Sequence, residues 1–159
     1  MDRLFLYSNE LLSQADTRFK RYAYQQINWQ NRLIGLVGSR GVGKTTLVLQ
    51  YIKANLNRQH TLYVTAEDFY FARHTLTDLA AQFVQAGGKY LFIDEIHKYP
   101  NWSRELKLIY DYHPALNIVF TGSSVLDIKK GNSDLSRRAI VYTMQGLSFR
   151  EYLNMFHQF

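Results

Sequence analysis

Short apolar runs punctuate the chain, and between them apolar residues recur every three or four positions. The runs are Leu33-Ile34-Gly35-Leu36-Val37, His60-Thr61-Leu62-Tyr63-Val64-Thr65, Lys89-Tyr90-Leu91-Phe92-Ile93, Leu116-Asn117-Ile118-Val119-Phe120-Thr121 and Ala139-Ile140-Val141-Tyr142-Thr143-Met144. Segments this short, rich in apolar, β-branched and aromatic residues, predict strands, the first and third of the type buried on both faces. Leu47, Val48, Tyr51 and Ile52 then repeat at helical spacing, as do Leu76, Leu79, Ala80, Phe83 and Val84. Thr75 is placed to cap the second of these helices with Asp78 in its first turn, and Gly87-Gly88 to stop it. Trp102, Leu106, Ile109 and Tyr110 give a further helix with Asn101 as its cap, ended before Pro114. At the two ends, Leu11, Leu12, Ala15, Phe19 and Tyr22 predict a helix over 9–24 capped by Ser8 or Asn9. Phe149, Tyr152, Leu153 and Phe156 predict another, opened by a Ser148/Glu151 capping box. Strands alternating with helices predict an α/β domain with a parallel sheet; local pattern does not order the strands.

The residues at the carboxyl ends of these strands carry the chemistry, because ligands of open α/β sheets bind there. After the first strand comes Gly38-Ser39-Arg40-Gly41-Val42-Gly43-Lys44-Thr45-Thr46, which fits the phosphate-loop (Walker A) pattern G-x-x-x-x-G-K-[ST] in its strand–loop–helix setting. Gly38, Gly41 and Gly43 are expected to give the backbone positive φ and close approach, so that loop amides converge on an anion. Lys44 can then reach β- and γ-phosphates, and the Thr45 hydroxyl can hold Mg²⁺. About 50 residues downstream the third strand ends in Asp94-Glu95, a Walker B arrangement. There Asp94 can hold Mg²⁺ and Glu95 can polarise the attacking water. The fourth strand ends in Thr121-Gly122-Ser123-Ser124. Ser123 is the first choice to sense the γ-phosphate, with Thr121 or Ser124 as alternatives. Glu67-Asp68, past the second strand, either approaches this site or forms a solvated loop. Arg137-Arg138, ahead of the fifth strand, can meet a phosphate of its own or a neighbouring subunit. Tyr22, Tyr24 or Ile27 can cover a nucleotide base, although core packing is the more ordinary role for them.

Composition narrows the setting. The chain has 159 residues, enough for one domain with a real core, with 47% hydrophobic and 20% charged residues. It has no cysteine, hence no disulfide framework or thiolate metal site, and its histidines do not pair at metal-ligand spacing. No apolar stretch approaches the roughly 18 residues of a membrane span, and the first residues do not read as a secretory leader. The expected compartment is the cytoplasm. The net charge of +6 suits an anionic partner. Its clusters, Arg18-Lys20-Arg21, Lys129-Lys130 and Arg137-Arg138, are small, which leaves nucleic acid with only weak support. The polar stretch 129–134 reads as a loop.

Four stretches together resemble the AAA-type ATPases of bacteria and archaea, in the branch that joins an N-terminal AAA core to a C-terminal domain of uncharacterised function. They are the phosphate loop at 38–46, Tyr90-Leu91-Phe92-Ile93-Asp94-Glu95-Ile96-His97-Lys98-Tyr99-Pro100-Asn101-Trp102, Phe120-Thr121-Gly122-Ser123-Ser124, and Leu147-Ser148-Phe149-Arg150-Glu151-Tyr152. The resemblance implies a P-loop NTPase fold: three layers, α/β/α, around a five-stranded parallel sheet of order 5-1-4-3-2. It implies ATP with Mg²⁺ as ligands, ATP hydrolysis driving a conformational change, and Arg138 as the matching arginine. It divides the chain into an N-terminal helical segment (1–30), the α/β core (31–146) and the start of a C-terminal helix (147–159), with a further domain beyond Phe159. An exposed apolar face on such a core implies self-association. This chain departs from the branch at Ser39 and Gly41, where Pro and Arg are usual, and at His97, where Gln is usual.

Overall fold

A computed structural model describes residues 1–123 and 135–157. Ser124 and the polar stretch 129–134 lie outside the described residues. The predicted runs form strands β1 (Leu33–Val37), β2 (Thr61–Thr65), β3 (Tyr90–Asp94), β4 (Asn117–Gly122) and β5 (Ile140–Thr143). All neighbouring pairs are parallel, in the order β2-β3-β4-β1-β5. This is the implied 5-1-4-3-2 read from the other edge. The register aligns Leu36 with Thr121 and Ile93 with Phe120. The carboxyl ends of β1, β4 and β3 therefore lie side by side, and the Gly38 N–H donates to the Gly122 carbonyl at 3.2 Å.

Helices cover both faces, which is why the central strands are apolar without alternation. The helix α3 (Lys44–Asn55) packs Leu47, Val48 and Ile52 against Ile34, Leu36 and Phe92. On the other face, α4 (Leu76–Gln85) and α5 (Trp102–Tyr112) bury Leu79, Phe83, Leu106 and Ile109 against Leu33, Leu91, Ile93 and Phe120. The α4 cap is as expected. Thr75 Oγ1 accepts the Asp78 N–H at 3.1 Å, and Asp78 Oδ2 accepts the Thr75 N–H at 3.3 Å. Asn101 stands at the N-cap of α5 but its side chain makes no cap bond; its contribution is a left-handed φ of 57°, which Asn tolerates better than most residues. No helix among the described residues is long and apolar enough to cross a membrane.

The N-terminal helix departs from expectation. It runs as α1 from Asp2 to Gln14, not over 9–24, and buries Leu4, Ser8 and Leu12. Ser8 is not a cap: its Oγ accepts the Tyr63 N–H at 3.1 Å, so α1 lies along the β2 edge and closes it. Beyond Gln14 the chain unwinds because α3 offers donors to its carbonyls. Gln50 Nε2 reaches Asp16 O at 2.8 Å and Phe19 O at 2.7 Å, and Lys53 Nζ reaches Ala15 O at 3.0 Å. Only a short helix, α2 (Ala23–Gln26), follows. The chain closes on α6 (Phe149–His157), whose expected capping box forms: Ser148 Oγ accepts the Glu151 N–H at 3.2 Å, and Glu151 Oε2 accepts the Ser148 N–H at 2.9 Å.

Candidate functional site

The loop between β1 and α3 has the form an anion requires. Gly41 and Gly43 take φ of 82° and 97°, conformations an L side chain rarely adopts. Gly38 does not; the expectation of positive φ there is corrected. It is glycine for space, since an added Cβ would lie 2.2 Å from the Met144 carbonyl oxygen. Met144 is held there by its N–H, which donates to Val37 O at 2.7 Å. The amides of Gly41, Gly43, Lys44, Thr45 and Thr46 donate to no protein acceptor among the described residues. They sit at the positive end of the α3 dipole, the arrangement that binds phosphate elsewhere. Ser39, Arg40, Gly41 and Thr46 are exposed, and Val42 is half-buried. Lys44 is buried and folds back, with Nζ donating to Gly38 O and Ser39 O, both at 2.9 Å. Burial pushes its pKa down, while the charges of Glu95 and Asp94 pull it up.

Asp94 meets this loop directly. Its side chain, 5% exposed, accepts from Thr45 Oγ1 at 2.6 Å and from the Tyr63 hydroxyl on Oδ2, and from Thr121 Oγ1 on Oδ1. Burial, followed by the Asp94 charge, raises the Tyr63 pKa and keeps it a donor. Thr121 Oγ1 also accepts the Glu95 N–H at 3.1 Å. Glu95 turns out of the strand with a φ of 55°. Its Oε2 accepts from Ser123 Oγ at 3.3 Å and lies 3.2 Å from His97 Nε2. The Ser123 N–H points at His97 Nδ1 at 3.3 Å, and Ser123 Oγ lies 3.0 Å from Nε2. An amide N–H can only donate, so Nδ1 is the acceptor and the ring proton sits on Nε2, facing the hydroxyl and the carboxylate.

Lys44, Thr45, Asp94, Glu95 and Ser123 are therefore brought together. Arg138 is not. It pairs with Asp111 of α5 at 2.9 and 3.0 Å, ahead of β5 and so at the amino end of the parallel strands, whereas Lys44 lies past the carboxyl end of β1. Asp68 is taken by Arg3 at 2.5 Å and by the Tyr70 N–H at 2.8 Å, and Glu67 is exposed. Tyr24 packs on Trp29 and Tyr51, Ile27 is in the core, and the Tyr22 hydroxyl accepts from Asn154 at 3.2 Å. None of these three lines the cavity of about 340 Å³ beside the loop, which is walled by Phe19, Arg21, Leu47, Gly146, Leu147 and Met155. Sequence reasoning missed Phe19, Tyr63 and His97 as site residues. His97 carried a faint signal, an unusual polar residue one turn past Asp94-Glu95. Tyr63 carried none, since it reads as one more apolar strand position.

A parallel sheet of this order, a glycine loop feeding a helix, and an acid meeting the loop's threonine define a P-loop nucleotide-binding fold. A family model for an AAA domain matches residues 30–153, and the chain belongs to that family. Among solved structures it is similar to the Walker-type ATPase paby2304 of Pyrococcus abyssi (TM-score 0.62, 15% identity, 88% of this chain and 57% of that one). It is also similar to PCH-2 of C. elegans (TM-score 0.53, 22% identity, 93% of this chain and 44% of that one). At these identities the likeness is one of fold. The chain spans less than two thirds of either structure's length. No curated protein matches it.

Proposed function

We propose that the chain binds ATP with Mg²⁺ at this site and hydrolyses it to drive a conformational change. The observation that carries the reading is the 2.6 Å contact of Thr45 with Asp94, beside Lys44 and a cluster of unclaimed amides. A hydroxyl and a carboxylate are hard oxygen donors of the type Mg²⁺ prefers, so Thr45 and Asp94 are the residues that would hold it. Bound Mg²⁺ supplies charge neutralisation at the β- and γ-phosphate oxygens. The amides of residues 41–46 hold the phosphates. Lys44 exchanges two carbonyl partners for phosphate oxygens. Glu95 orients water, Ser123 reads the γ-phosphate, and His97 holds both in register. The cavity at Phe19 and Met155 takes the base. Arg138 is read as acting in trans, on a phosphate of a neighbouring subunit, because the sheet separates it from its own loop.

Two substitutions test this. Lys44→Ala is expected to abolish ATP binding in calorimetry; unchanged affinity refutes the assignment. Glu95→Gln is expected to keep ATP affinity while phosphate release falls by about a hundredfold or more; undiminished release removes Glu95 from the mechanism. A second reading, a nucleotide-dependent interaction module with little turnover, is favoured by the apolar side chains that α6 leaves exposed. Binding without phosphate release in the unaltered protein selects it.

A further inference from the structure

One arginine outside the loop grips it from behind. Arg21 Nη1 donates to the Val42 carbonyl, Nη2 to Gln145 O at 2.6 Å, and Nε to Glu151 Oε1 at 2.9 Å. Both ionic side chains are largely buried, 12% and 6% exposed. Glu151 is claimed further by the N–H groups of Tyr22 at 2.9 Å and Ser148 at 2.9 Å. A single guanidinium thus joins the N-terminal segment, the phosphate loop, the segment after β5 and the start of α6. The planar fork of arginine permits this, and an ammonium does not.

The grip acts on one peptide. In a trans peptide the C=O and the next N–H point in opposite directions. With Val42 O held by Arg21, the Gly43 N–H must face away from Arg21, toward the amides of Lys44 and Thr45. Gly43, at a φ of 97°, has no side chain to fix that orientation by itself, and a Cβ there would lie 3.8 Å from Arg21 Nη1. A flipped peptide would instead aim a carbonyl at the anion.

We propose that Arg21 is a positioning residue for the phosphate loop, and that the Arg21–Glu151 clasp couples occupation of the loop to the docking of α6. The inference rests on the nucleotide reading above and adds to it a route from phosphate to C-terminal helix. Anything that orders the Val42–Gly43 peptide tightens the clasp and α6, and by linkage loosening α6 weakens phosphate binding.

The test uses sodium tripolyphosphate beside ATP. It has no base, so it cannot touch Met155 of α6 directly. Amide hydrogen exchange of residues 149–157 is followed in the unaltered protein, Arg21→Gln, Glu151→Gln and the double variant, with circular dichroism to confirm folding. Saturating tripolyphosphate is expected to slow exchange in α6 by about tenfold in the unaltered protein. Arg21→Gln is expected to lose that slowing and to bind tripolyphosphate about ten- to hundredfold more weakly, as loss of a charge-assisted bond implies. The double variant is expected to be no weaker than Arg21→Gln, because both changes break one clasp. Should Arg21→Gln fail to fold, the unaltered protein and Glu151→Gln decide the matter. Bound tripolyphosphate with α6 exchange unchanged overturns the coupling alone. So does an Arg21→Gln variant with normal affinity and normal slowing. An unaltered protein that binds neither tripolyphosphate nor ATP overturns the nucleotide reading, and the coupling with it.

Discussion

Among the described residues, three hydroxyls, from Thr45, Tyr63 and Thr121, and no cation hold Asp94 by hydrogen bonds. A buried carboxylate is costly unless its lone pairs are used, so these hydroxyls stabilise the fold as well as the site. They are not equivalent. Tyr63 makes one bond to the carboxylate, and Tyr63→Phe is expected to cost about 1 kcal/mol in urea unfolding. Thr121 donates to Asp94 and also accepts the Glu95 N–H at 3.1 Å. Thr121→Val keeps the shape but leaves both partners short, and is expected to cost about 2–4 kcal/mol, clearly more than Tyr63→Phe. Equal losses would mean that the Glu95 amide finds another acceptor. Lys44, Thr45 and Asp94 were readable in the chain, because each belongs to a local pattern whose chemistry is dictated by spacing. Tyr63 was opaque, and His97 nearly so, for the opposite reason. Each reaches the site across strands, and only register places Tyr63 of β2 beside Asp94 of β3 and His97 beside Ser123.

The helix α6 is anchored through one buried carboxylate, which makes its docking depend on acid. Burial alone would raise the pKa of Glu151; the bonds from Arg21, Ser148 and Tyr22 outweigh it and bring the value to about 2, below the ordinary 4.5. A folded value below the unfolded one gives stability that is whole above about pH 4.5 and is lost as pH falls toward 2. Unfolding of the unaltered protein and Glu151→Gln is therefore expected to differ by a constant amount from about pH 6 to 8, and the difference to close below about pH 4.5. A gap unchanged at pH 3 would show that Glu151 acts by shape and not by charge. The same helix shows which elements were legible in sequence. Its capping box, and the Thr75 cap of α4, lie within four residues and formed as read. The strands β1 to β4 were legible because they are buried and apolar almost throughout, and β5, though exposed, by its β-branched and aromatic residues; their order is a matter of non-local pairing. The position of α1 was misread because Ser8 looks like a cap while acting as a buried partner of the β2 edge. The continuation to residue 24 failed because Gln50 and Lys53 of α3 take the carbonyls a helix would have used.

Among the described residues, the sheet is covered at its β2 edge, while no strand pairs with β5 on its outer side. At β2, α1 and Ser8 cover the strand. At β5, Ile140 and Val141 are exposed, and the helix that follows presents Phe149, Tyr152, Leu153 and Phe156 at successive turns of one face, with Phe149 77% and Phe156 63% exposed. An uncovered edge strand beside an apolar strip offers both backbone pairing and a hydrophobic contact to a second chain. Charge would oppose such association, since like molecules of net +6 repel, but that repulsion is screened within about 8 Å at physiological ionic strength. Light scattering is therefore expected to show mass rising with concentration in the micromolar range, and rising further as salt is added, the reverse of an ionic interface. Phe149→Ser combined with Phe156→Ser removes the most exposed rings of α6 without touching Arg21, Glu151 or the loop, and is expected to return a monomer that binds ATP as the unaltered protein does. A monomer at every concentration in the unaltered protein would show that this face does not drive self-association.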